Sequence, residues 1–159
     1  MQAAPASKGG INWMTFEEAQ AKMKTEPKKA FVDIYTSWCG WCKVMDKKTF
    51  ANKYVIEYMN KNFYCIKFNA ESKSEIEFKG KKYEYSKEYK ANDLAIELMK
   101  GQLSFPTSIF FDEKFTNGQP IPGYLDVAKM EMTAKYIGEN KHKKMPWNKY
   151  QEAFKATWK

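Results

Sequence analysis

The sequence predicts an α/β fold, with strands layered between helices. Three observations carry that prediction. Short apolar runs rich in strand formers recur at Ala30-Phe-Val-Asp-Ile-Tyr35, Phe63-Tyr-Cys-Ile-Lys-Phe68 and Ser108-Ile-Phe-Phe111. Helical patterns with recognisable start and stop residues lie between and around them. The resulting order, strand and helix in alternation and then two strands and a helix, calls for a sheet covered by helices on both faces.

The elements follow in order. Thr15-Phe-Glu-Glu18 has the form of a capping box, with Thr15 bonding forward and Glu18 reaching back, and predicts a helix to about Thr25, before Glu26-Pro27. The run from Ala30 to Tyr35 has no polar alternation, as a strand buried on both faces requires. A helix is predicted from about Cys39 through Met45 and Lys48, and another over Lys53 to Asn60 with Val55, Ile56 and Met59 on one side. After the second buried strand, Ile76-Glu-Phe78 and Tyr83-Glu-Tyr85 flank Gly80-Lys81 and predict a small hairpin. Asn92 to Lys100 is predicted as a short helix stopped by Gly101. The third buried strand follows Phe105-Pro106. Asn117-Gly118 predicts a hairpin turn leading to a strand at Pro122-Gly-Tyr-Leu125. A helix is expected from about Val127 to Gly138. Trp147, Tyr150, Phe154 and Trp158, spaced by three and four, predict an aromatic stripe on a C-terminal helix over about 146–158.

The chain of 159 residues suits one domain, taken as residues 11–159, behind a flexible tether at 1–10. The start, MQAAPASKGG, lacks the apolar centre of a signal peptide. It fits a cytosolic start, or an initiator Met before a mature sequence whose leader is gone. No apolar run approaches the length of a membrane span. The net charge of +8 comes from lysine alone, since the chain contains no arginine. Nucleic acid is therefore not expected as a partner, because arginine makes the bidentate base and phosphate contacts. The scattered lysines read as a solvated surface, and a monomer is expected.

Chemistry concentrates in Ser37-Trp-Cys-Gly-Trp-Cys-Lys43. Three cysteines are too few for a disulfide framework. A zinc site needs four ligands, and Cys39, Cys42, Cys65 and the single histidine, His142, would just supply them. Cys65, however, lies in a buried strand pattern, where it reads as a small hydrophobe, and His142 lies in a charged run that reads as solvated surface. A structural bridge closing so short a loop would remove little chain entropy. A redox dithiol fits best. A cysteine at a helix N-terminus has its thiolate stabilised by unpaired N–H groups and the helix dipole. A second cysteine one turn on can attack the first and resolve a mixed disulfide.

The stretch from Val32 to Lys43 resembles the strand, Trp-Cys-Gly-x-Cys-Lys turn and helix of the thioredoxin superfamily. Phe105-Pro106-Thr107, before an apolar strand, resembles its cis-proline signature. Ile66-Lys67-Phe68-Asn69 is similar to the strand that brings a lysine near a buried aspartate, and Gly123 matches the glycine of the last strand. The resemblance spans about residues 12–140. Two departures stand out. Trp41 replaces the proline of thioredoxins proper, as in thioredoxin-like proteins of bacterial cell envelopes, including those of Bacteroidetes type. The segment at about 72–101 is longer than a minimal thioredoxin needs and reads as an insertion before the cis-proline.

The resemblance implies a thioredoxin fold, with a central mixed sheet between helices, and a thiol–disulfide oxidoreductase that reduces or isomerises disulfides in protein substrates. Cys39 is implied as nucleophile and Cys42 as resolving thiol. Asp33 is implied as a buried proton relay with Lys67 beside it, and Pro106 as the residue facing the dithiol. Trp38, Gly40, Trp41, Phe105 and Thr107 would border a bound substrate, with Lys43 and Gly123 in support. No cofactor or metal is implied. The partners would be disulfide-bearing proteins and an upstream thiol reductant, in the periplasm or cell envelope, with the cytoplasm as the alternative. A thioredoxin-like binding module with little turnover is the competing expectation.

Overall fold

The computed structural model describes residues 9–159, so the predicted tether lies outside the described residues except for Gly9 and Gly10. A two-residue strand, β1 (Trp13–Met14), opens the fold, and Thr15 then caps α1 (Phe16–Thr25). Both halves of the capping box form: the Glu18 amide donates to the Thr15 hydroxyl and the Thr15 amide to the Glu18 carboxylate. β2 (Lys29–Tyr35), α2 (Gly40–Lys48), α3 (Lys53–Asn62) and β3 (Phe63–Asn69) follow. The segment before Pro106 carries β4 (Ile76–Phe78), β5 (Lys81–Tyr83), β6 (Tyr85–Ser86), β7 (Ala91–Asn92) and α4 (Asp93–Leu98). β8 (Thr107–Phe111), β9 (Gln119–Pro122), α5 (Val127–Gly138) and α6 (Trp147–Ala153) complete the chain.

The main sheet has the order β1-β3-β2-β8-β9. β1, β3 and β2 run parallel, while β8 and β9 pair antiparallel, so the sheet is mixed. Side chains alternate across β2. Ala30, Val32 and Ile34 join Phe16 and Ala19 of α1 and Leu94 and Ala95 of α4 in one cluster. Phe31 faces the other way, with Met45 of α2, Val55 and Met59 of α3, and Met130 and Ala134 of α5. Both faces are thus covered, which accounts for the near-continuous apolar runs. The β4–β5 hairpin packs its Phe78 ring edge-on to Phe16 of α1, with centroids 5.3 Å apart.

Several features differ from those the sequence predicts. The strand expected at 122–125 lies at Gln119–Pro122, because Pro106 and Thr107 pair with the chain just before Gly123 turns it away. His142 is half-buried, its ring edge-on to Tyr136. The C-terminal helix stops at Ala153, and Phe154 is already extended. The aromatic stripe therefore divides. Trp147 and Tyr150 pack on Tyr136 of α5, while Trp158 reaches Tyr58 of α3, with centroids 5.4 Å apart. The cause is Glu131, fully buried on α5, which accepts hydrogen bonds from the backbone amides of Thr157 and Trp158. Those bonds replace the ones a longer helix would have made.

Candidate active site

β2 ends at Tyr35, and α2 begins five residues later at Gly40. Cys39 is the N-cap, and its sulfur accepts from the backbone N–H of Cys42 at 3.1 Å. An N-cap acceptor satisfies a donor that the first helical turn leaves open. Cys39 and Cys42 form a disulfide at this helix start. Both are buried within their own surroundings, yet the residues between and before them are not: Trp41 is 61% and Trp38 is 64% exposed.

Each exposed indole is held by a neighbour. Trp38 packs edge-on to Phe105, with centroids 5.9 Å apart, and its indole N–H donates to the Glu71 carboxylate at 3.0 Å. Trp41 lies against Tyr124 at 5.2 Å. Gly40, between the cysteines, has nothing within 4 Å of where a Cβ would sit, so the space beside the bridge is open.

The Phe105–Pro106 peptide bond is cis. The Pro106 carbonyl is taken up by the Gly123 amide at 2.8 Å, and the Thr107 hydroxyl donates to the Ser104 carbonyl at 2.8 Å. The backbone N–H and C=O of Phe105 have no partner among the described residues. The Phe105 ring itself contacts Trp38, the residue directly before Cys39.

Behind the bridge, Asp33 of β2 and Lys67 of β3 are register partners. The Lys67 ammonium donates to Asp33 Oδ2 and to Asp46 Oδ1 of α2. It also lies over the rings of Trp13, Tyr35 and Phe50. Burial pushes the Asp33 carboxyl above its ordinary range, outweighing the charge and hydrogen bond of Lys67 that favour ionisation. Burial works against the Lys67 ammonium, but the charge of Asp33 and the hydrogen bonds to both carboxylates hold its pKa above the usual value. The trio therefore favours a charged lysine and makes the Asp33 carboxylate a stronger base than an exposed one.

Of the residues singled out in the sequence, Lys43 is exposed and forms no ion pair among the described residues. Cys65 is fully buried, and burial pushes its thiol up to about 12. Neither Cys65 nor His142 joins the cysteine pair, and among the described residues no group of His, Cys, Asp or Glu is placed to hold a metal. Sequence reasoning missed Asp46, Glu71 and Tyr124 as neighbours of the site. Asp46 was findable, since it lies four residues after Cys42 and shares its helix face. Glu71 and Tyr124 reach their tryptophans only through the tertiary fold.

A family model described as "Thioredox_DsbH: Protein of unknown function, DUF255" matches residues 4–132. The chain belongs to this family. The DsbH-type thioredoxin-like family, the fold and the Cys39–Cys42 bridge together support a thiol–disulfide oxidoreductase-like function. A solved structure named "DsbH Oxidoreductase" is similar at 14% identity, covering 87% of this chain and 92% of that one, with a TM-score of 0.58. A Bacteroides thetaiotaomicron protein described as a candidate disulphide-isomerase is 24% identical over 80% of this chain and 93% of its own, with a TM-score of 0.56. At such identities the likeness is one of fold. The uncharacterized protein B0495.5 of Caenorhabditis elegans is 34% identical over 68 residues, which is 42% of this chain and 9% of that protein. The stretch of this DsbH-type chain that matches thus spans less than a tenth of the length of that curated relative. Among the described residues no helix is long and apolar enough to cross a membrane.

Proposed function

We propose that this chain reduces or isomerises disulfides in protein substrates, with Cys39 as nucleophile and Cys42 as resolving thiol. The observation that carries the proposal is the bridge itself, set at the N-cap of α2 with the Cys42 amide on the Cys39 sulfur. That amide and the helix dipole stabilise the thiolate which attacks a substrate disulfide. The bound chain pairs with the open backbone of Phe105, beside Pro106 and Thr107, as a short β-bridge. Trp38, Gly40 and Trp41 border the docked segment. Asp33, supported by Lys67, accepts the Cys42 proton in the resolving step. Gly123 holds the Pro106 loop, and Lys43 adds positive charge at the rim. The unit that does this spans residues 11–159.

Direction follows from the residues between the cysteines. Gly40 and Trp41 bring no charge to the Cys39 sulfur, and Asp33, when ionised, opposes a nearby thiolate. A reductant or isomerase fits this better than a strong oxidant, whose reduced thiolate must be specially stabilised. A reducing role requires an upstream thiol donor, and the family likeness favours the periplasm or cell envelope.

The test is equilibration in glutathione buffers, read by tryptophan fluorescence, because Trp38 and Trp41 flank the bridge. A potential near roughly −270 mV with catalytic insulin reduction supports the reading. A potential near roughly −120 mV overturns the direction. Binding of a disulfide protein without turnover favours a docking module instead.

A further inference from the structure

The Lys67 ammonium serves two carboxylates of very different exposure. Asp33 is 2% exposed, Lys67 21% and Asp46 45%, so the three form a graded path from the core to water. The path starts on the side of the sheet that α2 covers, the helix that the cysteine pair opens. Asp33 lies on the face of β2 that carries Phe31, which packs with Met45 of α2, and Asp46 sits one turn beyond Cys42 on the same helix. Asp33 Oδ1 is buried and has no hydrogen-bond partner, so one oxygen of the carboxyl stays available while the other holds Lys67.

The outer end of the path opens into a cavity of about 440 Å³, lined by Gly10, Trp13, Asp46, Phe50, Ile56 and Lys67. None of Trp38, Trp41, Phe105, Pro106 or Tyr124 lines it. A substrate docked across the disulfide therefore leaves it open. The groups facing the trio are the rings of Trp13 on β1, Tyr35 on β2 and Phe50 after α2, and Ser108 on β8, the register partner of Asp33. Only Tyr35 among them is titratable, and its ring faces the ammonium.

We propose that Asp46 is the outlet of a proton relay that carries the Cys42 proton through Asp33 and Lys67 into this cavity. The proposal rests on the dithiol reading above. In the resolving step Cys42 gives its proton to the Asp33 carboxylate, and its thiolate attacks Cys39 in the mixed disulfide. The Cys39–substrate S–S bond breaks and the Cys39–Cys42 bond forms. The substrate sulfur leaves with the electron pair and takes a proton from water. The dithiol has then lost two electrons and the substrate disulfide has gained them. Asp33 must next lose its proton. It passes it to Lys67 as Lys67 passes one of its own to the Asp46 carboxylate, which releases it to water. Throughout the transfer the trio carries one ammonium, one carboxylate and one carboxylic acid, so no additional charge is buried at any point.

The experiment measures the resolving step by stopped-flow tryptophan fluorescence, at disulfide concentrations where that step limits, in dilute buffer at pH 7. Wild type, Asp46→Asn and Asp46→Glu are compared across an imidazole series at constant ionic strength. The expected result is a resolving rate about tenfold lower in Asp46→Asn, restored by rising imidazole, with Asp46→Glu close to wild type and wild type insensitive to imidazole. An Asp46→Asn rate equal to wild type in dilute buffer overturns the relay. So does a slow rate that imidazole does not lift, which would make Asp46 only an electrostatic prop for Lys67. Failure of the wild type to reduce insulin disulfides at all removes the dithiol reading itself and is distinguishable from both.

Discussion

Gly123 donates its backbone N–H to the Pro106 carbonyl at 2.8 Å, and it does so from φ +103°, a conformation that L side chains rarely adopt. Nothing lies within 4 Å of where its Cβ would sit, so a substitution there strains the backbone without a clash. Gly123→Ala is expected to cost about 1–3 kcal/mol, read as a lower urea midpoint with an unchanged slope. It is also expected to slow disulfide exchange, because the Pro106 loop loses its anchor. A midpoint equal to wild type would show that the chain adopts another angle here at no cost.

Cys42→Ser is expected to accumulate a mixed disulfide with a protein substrate through Cys39, since nothing remains to resolve it. Cys39→Ser is expected to abolish exchange. Peptide mapping of the trapped species decides the matter: linkage through Cys42 or Cys65 would reverse the assignment. Cys65 is a poor candidate, because its buried thiol is held at about 12.

Asp33→Asn should change both rate and stability. Burial raises the Asp33 pKa above 3.8, so the folded protein keeps that proton to higher pH than the unfolded chain does. The associated stability is full below about 3.8 and is lost as pH rises through the raised native value. The amide has no proton to lose, and Lys67 keeps Asp46 as its partner. The variant is therefore expected to gain on wild type between pH 4 and pH 7 while its resolving step slows. Urea midpoints at both pH values, falling in step for the two proteins, would show that the Asp33 pKa is not raised in the folded protein.

Glu131 gives the opposite sign. Burial disfavours its charge, but bonds from Lys135, the Thr157 hydroxyl and the amides of Thr157 and Trp158 outweigh that and hold its pKa below 4.5. Its contribution is present above about 4.5 and is lost as pH falls through the lowered native value. Glu131→Gln is expected to cost about 1.5–3 kcal/mol at pH 7, since hydrogen bonds to a charged acceptor are lost. The difference should shrink in acid. Equal urea midpoints at pH 7 would mean that the C-terminal residues stay docked without the carboxylate.

The layered fold and the cysteine pair were legible in the sequence because their causes are local. Ala30–Tyr35 and Phe63–Phe68 are apolar on both sides of the pleat apart from Asp33 and Lys67, Thr15 and Glu18 sit at the spacing a capping box needs, and Cys39 directly precedes a helical pattern. Three features depended on groups far apart in the chain. Helical spacing in the tail gave no sign that Glu131, on another helix, would draw Thr157 and Trp158 out of a continuing helix. The clasp of Trp38 by Glu71 and Phe105 joins three separate segments. Lys67 between Asp33 and Asp46 needed β3 beside β2 with α2 packed across them. Periodicity and capping are read within one turn or one strand, whereas a buried charge finds its partner only when the sheet and its helices have closed around it.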